Sequence, residues 1–344
     1  MRVLGLRVNR RHAEEVRRIL ASAALVDTTR AIVEREDRVI LPLVTSPPAH
    51  LLDGYEFETL SMEFPHRTTR EDPVDEICRV AEVPHDLKHL LPRKWELFGD
   101  VLVIRLPKSL DAYEAPVAQA YAQVLNAKTV LRDVGGVTGE FRTPVMRLLL
   151  GTDTVTVHKE NGVRFKFDAR QIMFSSGNVD ERIRVAGIPC DGEIVIDMFA
   201  GIGYFSIPIA VHQHPRRVLA CEINPVAFGY LEDNIRLNSV TGVVEPVLGD
   251  NRELEGEAVA DRVFMGYVKT THEYLATAVR LVRSGGVIHY HETCPCELIP
   301  ERPISRVKSA AGDADVEVLG VREIKSYSPG ISHVVVDARI IKRD

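Results

Sequence analysis

From Gly192 onward the chain alternates between short apolar runs and helix-forming stretches: EIVIDMFAG, a helix, RVLACEIN, a helix, VVEPVLGD, a connection, DRVFMGY, a helix, GGVIHYH. Successive parallel strands need crossover connections of about a dozen residues or more, and the helices that supply them cover both faces of one sheet. The pattern therefore predicts a doubly wound α/β sheet over residues 175–344, with its strand carboxyl ends opening on one edge, where such sheets bind ligands. The β runs Val316–Val321 and His333–Ile340 are expected to form its antiparallel edge pair.

The residues at those strand ends are chemically selective. Asp197-Met-Phe-Ala-Gly201-Ile-Gly203 follows the first strand, and glycine at 201 and 203 lets the backbone turn sharply and come close to a ligand. A lone Gly-x-Gly is weak, because dinucleotide-binding turns use glycine at the same place and a tight turn can be purely structural. The acid at Asp197 and the missing third glycine favour a methyltransferase-type turn over a nicotinamide fingerprint. The second strand ends in Glu222, placed to accept both ribose hydroxyl hydrogens of a nucleoside. The third ends in Gly249-Asp250-Asn251, where an acid and an amide would read an adenine edge. Together they point to a Rossmann-like domain that binds S-adenosylmethionine.

Upstream the texture differs. Residues 1–44 read as a small α/β domain: a strand at Val3–Val8, an amphipathic helix over Arg10–Ala23, and β runs at Ala31–Glu34 and Arg38–Leu43. TSPPAHLLDGY, with its Pro-Pro and Asp-Gly, marks a linker at 45–55. Residues 56–174 read as an α+β middle domain, with helices at Pro73–Ala81 and Tyr113–Leu125, a buried strand at Val101–Leu106, and antiparallel strands at Thr129–Arg132, Thr154–Lys159 and Val163–Asp168. Net charge is −6, yet Lys128–Arg184 carries ten Lys or Arg against seven acids, while Val185–Asp261 carries four against twelve. A basic middle beside an acidic cofactor domain permits a phosphate-rich substrate, though a solvated mixed-charge surface would look the same. The five cysteines form neither a disulfide framework nor a paired Cys-x-x-Cys zinc site, and Cys294-Pro-Cys296 reads as two loop thiols, so no metal is expected. No apolar run is long enough to span a membrane and no signal peptide is legible, which places the chain in the cytoplasm.

MFSSGNVDER (173–182), DMFAGIGYFSIPIA (197–210), CEINP (221–225), GDN (249–251), DRVFMGYVKTTHEYL (261–275) and GGVIHYH (285–291) resemble the superfamily that joins two tRNA enzymes. One is the guanosine-37 N1-methyltransferase; the other is the archaeal wybutosine-synthesis aminocarboxypropyltransferase. The resemblance implies a class I methyltransferase-like fold, and S-adenosylmethionine contacts from Ser175, Arg182, Glu222, Asp250 and Asn251. It also implies the anticodon region of tRNA(Phe) as partner, with the protein acting as a monomer. Residues 1–44 resemble the small N-terminal domain of the methyltransferases, which the archaeal aminocarboxypropyltransferases do not always carry. In the methyltransferases an Asn followed by prolines is expected after the fourth strand, holding the guanine edge. Here the segment is Met265-Gly266-Tyr267-Val268-Lys269, similar to the aminocarboxypropyltransferases.

That resemblance implies transfer of the 3-amino-3-carboxypropyl group to C7 of 4-demethylwyosine in tRNA(Phe), releasing methylthioadenosine, with guanine-37 N1-methylation as the alternative. An arginine at 182, seven residues from Ser175, can reach the methionine carboxylate as a charge-assisted pair or form an interdomain salt bridge. Candidates near the reacting base are Tyr267, His272, His289 and His291, the last two sharing one side of a strand. Tyr267 suits stacking on a base, and core packing competes with that role.

Overall fold

The computed structural model describes residues 2–67, 72–139 and 141–343. The chain divides into two units, Met1–Asp75 and Glu76–Asp344. In the first, strands β1 (Val3–Asn9), β2 (Val33–Arg35), β3 (Arg38–Pro42) and β4 (Phe57–Met62) form an antiparallel sheet in the order β2-β3-β1-β4. Helix α1 (Ala13–Ser22) repeats its apolar side chains at helical spacing, and Val16 and Leu20 pack with Leu6, Val8, Val39 and Leu41. This unit runs well past residue 44, where sequence reading ends it. Strand β4 pairs along β1 from Val3 opposite Met62 to Val8 opposite Phe57, and Leu52, in the stretch read as linker, is buried in the same core. The run FETLSM lacks apolar alternation because its side chains are largely exposed at the sheet edge.

In the second unit, α2 (Pro73–Val80) contributes Ile77 to a core with α3 (Glu114–Leu125). Alongside lie β5 (Trp95–Phe98), β6 (Val101–Ile104), β7 (Thr129–Thr138) and β8 (Thr143–Leu150), in that order, with β6 and β7 parallel. Sequence reading expects β9 (Val155–Glu160) and β10 (Val163–Asp168) in one antiparallel sheet with β7; instead, among the described residues, they form a two-stranded hairpin of their own. Helix α4 (Val179–Ala186) then leads to a seven-stranded sheet. Its strands are β11 (Ile194–Asp197), β12 (Arg217–Glu222), β13 (Val244–Leu248), β14 (Ala260–Met265), β15 (Val282–Pro295), β16 (Asp315–Ser328) and β17 (Ile331–Ile341), interleaved with α5 (Ser206–His212), α6 (Pro225–Leu237), α7 (Leu275–Leu281) and α8 (Glu301–Ala311). The order is β13-β12-β11-β14-β15-β17-β16: five parallel strands, then an antiparallel pair. This is the doubly wound, methyltransferase-like sheet expected, and its order reverses between β11 and β14, so a crevice opens there at the carboxyl ends.

The hairpin belongs with this large sheet. Lys166 N–H donates to Asn234 Oδ1 at 2.6 Å and Arg164 N–H to Asn238 Oδ1 at 2.9 Å, both acceptors lying on or just past α6. Phe165, Phe167 and Phe174 share one core with Phe98 and Leu131 of the smaller sheet and with Ile207 and Leu231 of the larger. The Phe174 ring is stacked on Phe167 at 5.2 Å and meets Phe98 at 5.4 Å and Tyr204 at 5.5 Å. Truncating Phe167, which is fully buried, should therefore cost about 3–5 kcal/mol in denaturant unfolding. A loss under about 1 kcal/mol would show that the hairpin contributes little to this core.

Candidate active site

A cleft of about 490 Å³ lies at the reversal point, at the carboxyl ends of β11 to β14. Its wall near β11 depends on two glycines. Gly201 has φ 58° and a Cβ there would stand 2.5 Å from the Tyr204 ring; Gly203 has φ 99° and its Cβ would meet Ile207 at 2.4 Å. Gly201 lines the cleft, whereas Gly203 lies behind its wall, packed on α5 and α6. Asp197 is also behind it, which corrects the expectation of a ligand contact. The side chain is fully buried, accepting from Ser206 Oγ at 2.6 Å and from the Phe199 N–H at 3.3 Å, and burial pushes its carboxyl up to about 6.

Glu222 does face the cleft. Its Oε2 accepts from the Gly201 N–H and its Oε1 from the Asn224 N–H, both at 2.7 Å, so the carboxylate is locked to the β11 and β12 turns with a further lone pair on each oxygen. Burial raises its pKa, and the two backbone donors oppose that shift. Beyond it, Asp250 is ion-paired with Arg252, whose guanidinium holds the Asp250 carboxyl below its usual range. Asn251 donates to the Met198 carbonyl at 2.8 Å while its buried Oδ1 has no partner. Asn178 Oδ1 and Arg142 Nε, also on cleft-lining residues, are buried and unsatisfied as well. Such groups are rare in folded chains and fit a site built to hydrogen-bond a polar ligand.

Ser175 and Arg182 line the opposite end. The Arg182 guanidinium is bidentate on Glu160, at 2.6 and 2.7 Å, donates to the Ser175 carbonyl at 2.9 Å, and sits 4.6 Å over the Phe174 ring. The salt-bridge alternative is thus the one the fold adopts, with Glu160 as the acid. Tyr267 lines the cleft and is stacked on Phe199 at 5.4 Å, with Tyr274 edge-on to Phe199 at 5.0 Å. His289 and His291 do not line it. His289 is buried in a bond to Asp337 and stacked on Phe264 at 4.3 Å; His291 is fully buried, with Nδ1 3.0 Å from His333 Nε2 and Nε2 3.5 Å from Glu181 Oε1. Both point inward because β15 is a central strand covered on each face. His272 is likewise absent from the lining.

The imidazole that reaches the cleft is His333, on β17, accompanied by Lys325 and Tyr327 from β16 and by Arg142. Sequence reading treated β16 and β17 only as an edge pair, and no motif marks these residues. The basic stretch is also thinner than its count suggests, since Lys128, Arg132, Arg147, Lys166, Arg182 and Arg184 each face a carboxylate. Among the described residues no group of three or more His, Cys, Asp or Glu is placed to hold a metal ion, and no helix is long and apolar enough to cross a membrane.

Fold and cleft define a Rossmann-like transferase of the methyltransferase class. The TRM5/TYW2 methyltransferase domain model matches residues 156–319, the TYW2 N-terminal domain model 75–154, and the tRNA methyltransferase 5 N-terminal domain model 5–51. The tRNA(Phe) (4-demethylwyosine(37)-C(7)) aminocarboxypropyltransferase of Pyrococcus horikoshii is 46% identical over 263 residues, 76% of this chain and 94% of that protein. The tRNA (guanine(37)-N(1))-methyltransferase Trm5b of Pyrococcus abyssi is 36% identical over 98% of this chain and 99% of its own length. The crystal structure of P. horikoshii TYW2 in complex with MeSAdo superposes with a TM-score of 0.71 at 43% identity, covering 78% of this chain and all of that one. The chain belongs to the TRM5/TYW2 family.

Burial and the neighbouring cations Lys325 and Arg142 push His333 down to about 4, from an ordinary value of 6.5. A histidine depressed on folding binds its proton more readily in the unfolded chain, so its contribution is complete above pH 6.5 and is lost as pH falls towards 4. Asp197, raised to about 6, acts in the opposite sense, so the measurement is a difference. Relative to the parent protein, His333→Asn should flatten the decline in unfolding free energy between pH 6.5 and 4 by up to one proton. Parallel curves for the two proteins would mean that His333 titrates normally.

Proposed function

We propose that this chain transfers the 3-amino-3-carboxypropyl group of S-adenosylmethionine to C7 of 4-demethylwyosine at position 37 of tRNA(Phe), releasing methylthioadenosine. The segment after β14 carries the reading. Gly266 and Tyr267 line the cleft there, and a Cβ on Gly266 would stand 2.8 Å from the Phe205 ring, so an asparagine at 266, where the methyltransferases are expected to hold a guanine edge, would require that ring to shift. The 46% identity to an aminocarboxypropyltransferase supports the same choice.

Ser175, Arg182, Gly201, Glu222, Asp250 and Asn251 surround the donor: Asp250 and Asn251 at adenine, Glu222 at the ribose hydroxyls, Ser175 and Arg182 towards the sulfonium arm. Asp197 and Gly203 act from behind by fixing the turn. A sulfonium offers three carbons to a nucleophile, and the one displaced is the one held in line at near-attack distance. The C7–Cγ bond forms as the Cγ–S bond breaks; the electron pair stays on sulfur, leaving a neutral thioether, and the C7 proton passes to solvent water. Tyr267 and the Phe199 ring beneath it provide a platform for the base. The partner surface is the anticodon region of tRNA(Phe), and the enzyme works as a monomer in the cytoplasm.

One observation favours guanine-37 N1-methylation as the second reading: the match to the methyltransferase N-terminal domain and to Trm5b over almost the whole chain. Label placed in the carboxyl carbon of S-adenosylmethionine should pass to tRNA(Phe) carrying the tricyclic precursor, with methylthioadenosine as coproduct. Recovery of S-adenosylhomocysteine and methylated guanosine from unmodified tRNA would establish the second reading instead. In calorimetry, Glu222→Ala should weaken S-adenosylmethionine by roughly ten- to a hundredfold, the worth of a charged acceptor. Unchanged affinity would remove Glu222 from the site.

A further inference from the structure

The cations around Ser175 are not equivalent. Arg182 is matched in charge by Glu160 and is only 4% exposed. Lys325, half-buried on β16, donates to Ser175 Oγ at 3.0 Å, and no carboxylate of a described residue lies within ion-pair distance of it. Arg142 Nη2 rests 3.5 Å from Met173 Sδ, its Nε is unsatisfied, and it too lacks a carboxylate partner among the described residues. Gly177 leaves room for the lysine, since a Cβ there would stand 3.1 Å from Lys325 Nζ. Burial lowers the pKa of Lys325, and Arg142 and Arg182 lower it further, against a weaker opposing pull from Glu96; the nearby His333 is driven down by burial and by Lys325 and Arg142. This end of the cleft therefore holds positive charge in excess, and a half-buried ammonium without a counter-ion is an unfavourable arrangement that an anionic ligand group would relieve.

S-Adenosylmethionine carries one anionic group, its α-carboxylate. We propose that Lys325, oriented by Ser175 and supported by Arg142, is the carboxylate-binding residue of this cleft, the part that sequence reasoning gives to Arg182. The assignment rests on the donor proposed above. Anchoring the carboxylate at β16 fixes the far end of the three-carbon arm, while Glu222 fixes the ribose end, so the sulfonium between them has little freedom to rotate. Arg182 acts as a positioning residue, holding the Ser175 carbonyl through its pair with Glu160.

The test compares three ligands by calorimetry: S-adenosylmethionine; decarboxylated S-adenosylmethionine, which keeps the sulfonium and amine; and methylthioadenosine, which lacks the arm. The parent protein should prefer S-adenosylmethionine over its decarboxylated form by about ten- to a hundredfold. Lys325→Met should erase that preference and leave methylthioadenosine within about twofold, which also shows that the variant is folded, and Lys325→Arg should restore much of it. Equal affinity of the parent protein for the carboxylated and decarboxylated ligands would overturn the proposal without any variant. So would a Lys325→Met protein that keeps the preference, or one that loses all three ligands alike. A parent protein that bound none of the three would overturn the donor assignment itself, a distinct outcome.

Discussion

The largely buried pair between Arg182 and Glu160 is the interaction on which the cleft most depends. It joins α4 to the β9–β10 hairpin, lies over the Phe174 ring, and holds the Ser175 carbonyl with a third donor. Removing one member of such a pair leaves an uncompensated buried charge, typically costing about 3–5 kcal/mol. Bidentate geometry and stacking give the guanidinium a fixed plane, and residues 173–178, which follow the hairpin and precede α4, take their course from it. Because this arginine is satisfied within the protein, the cleft's surplus charge falls to Lys325 and Arg142.

Two acids at neighbouring strand ends illustrate how environment divides roles. Asp197 and Glu222 close consecutive parallel strands, and both are pushed towards protonation by burial. Asp197 spends its oxygens on Ser206 and the Phe199 N–H, and so fixes the turn from the inside. Glu222 accepts one backbone N–H on each oxygen and turns its remaining capacity to the cleft. The second arrangement is pre-organised for a diol: the carboxylate needs no reorientation when two hydroxyls arrive, so little ordering free energy is lost on binding.

Different segments of this chain resemble different members of the family. Residues 5–51 match the N-terminal domain of the methyltransferases, while residues 75–154 match the TYW2 N-terminal domain and an aminocarboxypropyltransferase is 46% identical over 263 residues. Function follows the cleft, because the carbon transferred depends on how the sulfonium arm and base face one another there.

The five parallel strands with their crossovers, the Gly201 turn, and Glu222, Asp250 and Asn251 at successive strand ends were legible in the sequence, since crossover spacing repeats in the chain and strand ends bring their residues together. The aromatic and charged residues at 173–182 were legible only through resemblance. Several features could not be read locally. Strand β4 is a polar edge strand without alternation, and the β9–β10 hairpin looks like any other pair of strands until its partners, Asn234 and Asn238, are in place. His289 and His291 share a side of β15, but only the packing of that strand shows that this side faces inward, leaving His333 as the imidazole at the cleft. Sequence thus determined which strand ends would carry chemistry, through spacing along one chain. Tertiary structure decided which charges remain uncompensated, because Glu160 reaches Arg182 across 22 residues and Lys325 reaches Ser175 across 150, separations at which no periodic pattern survives.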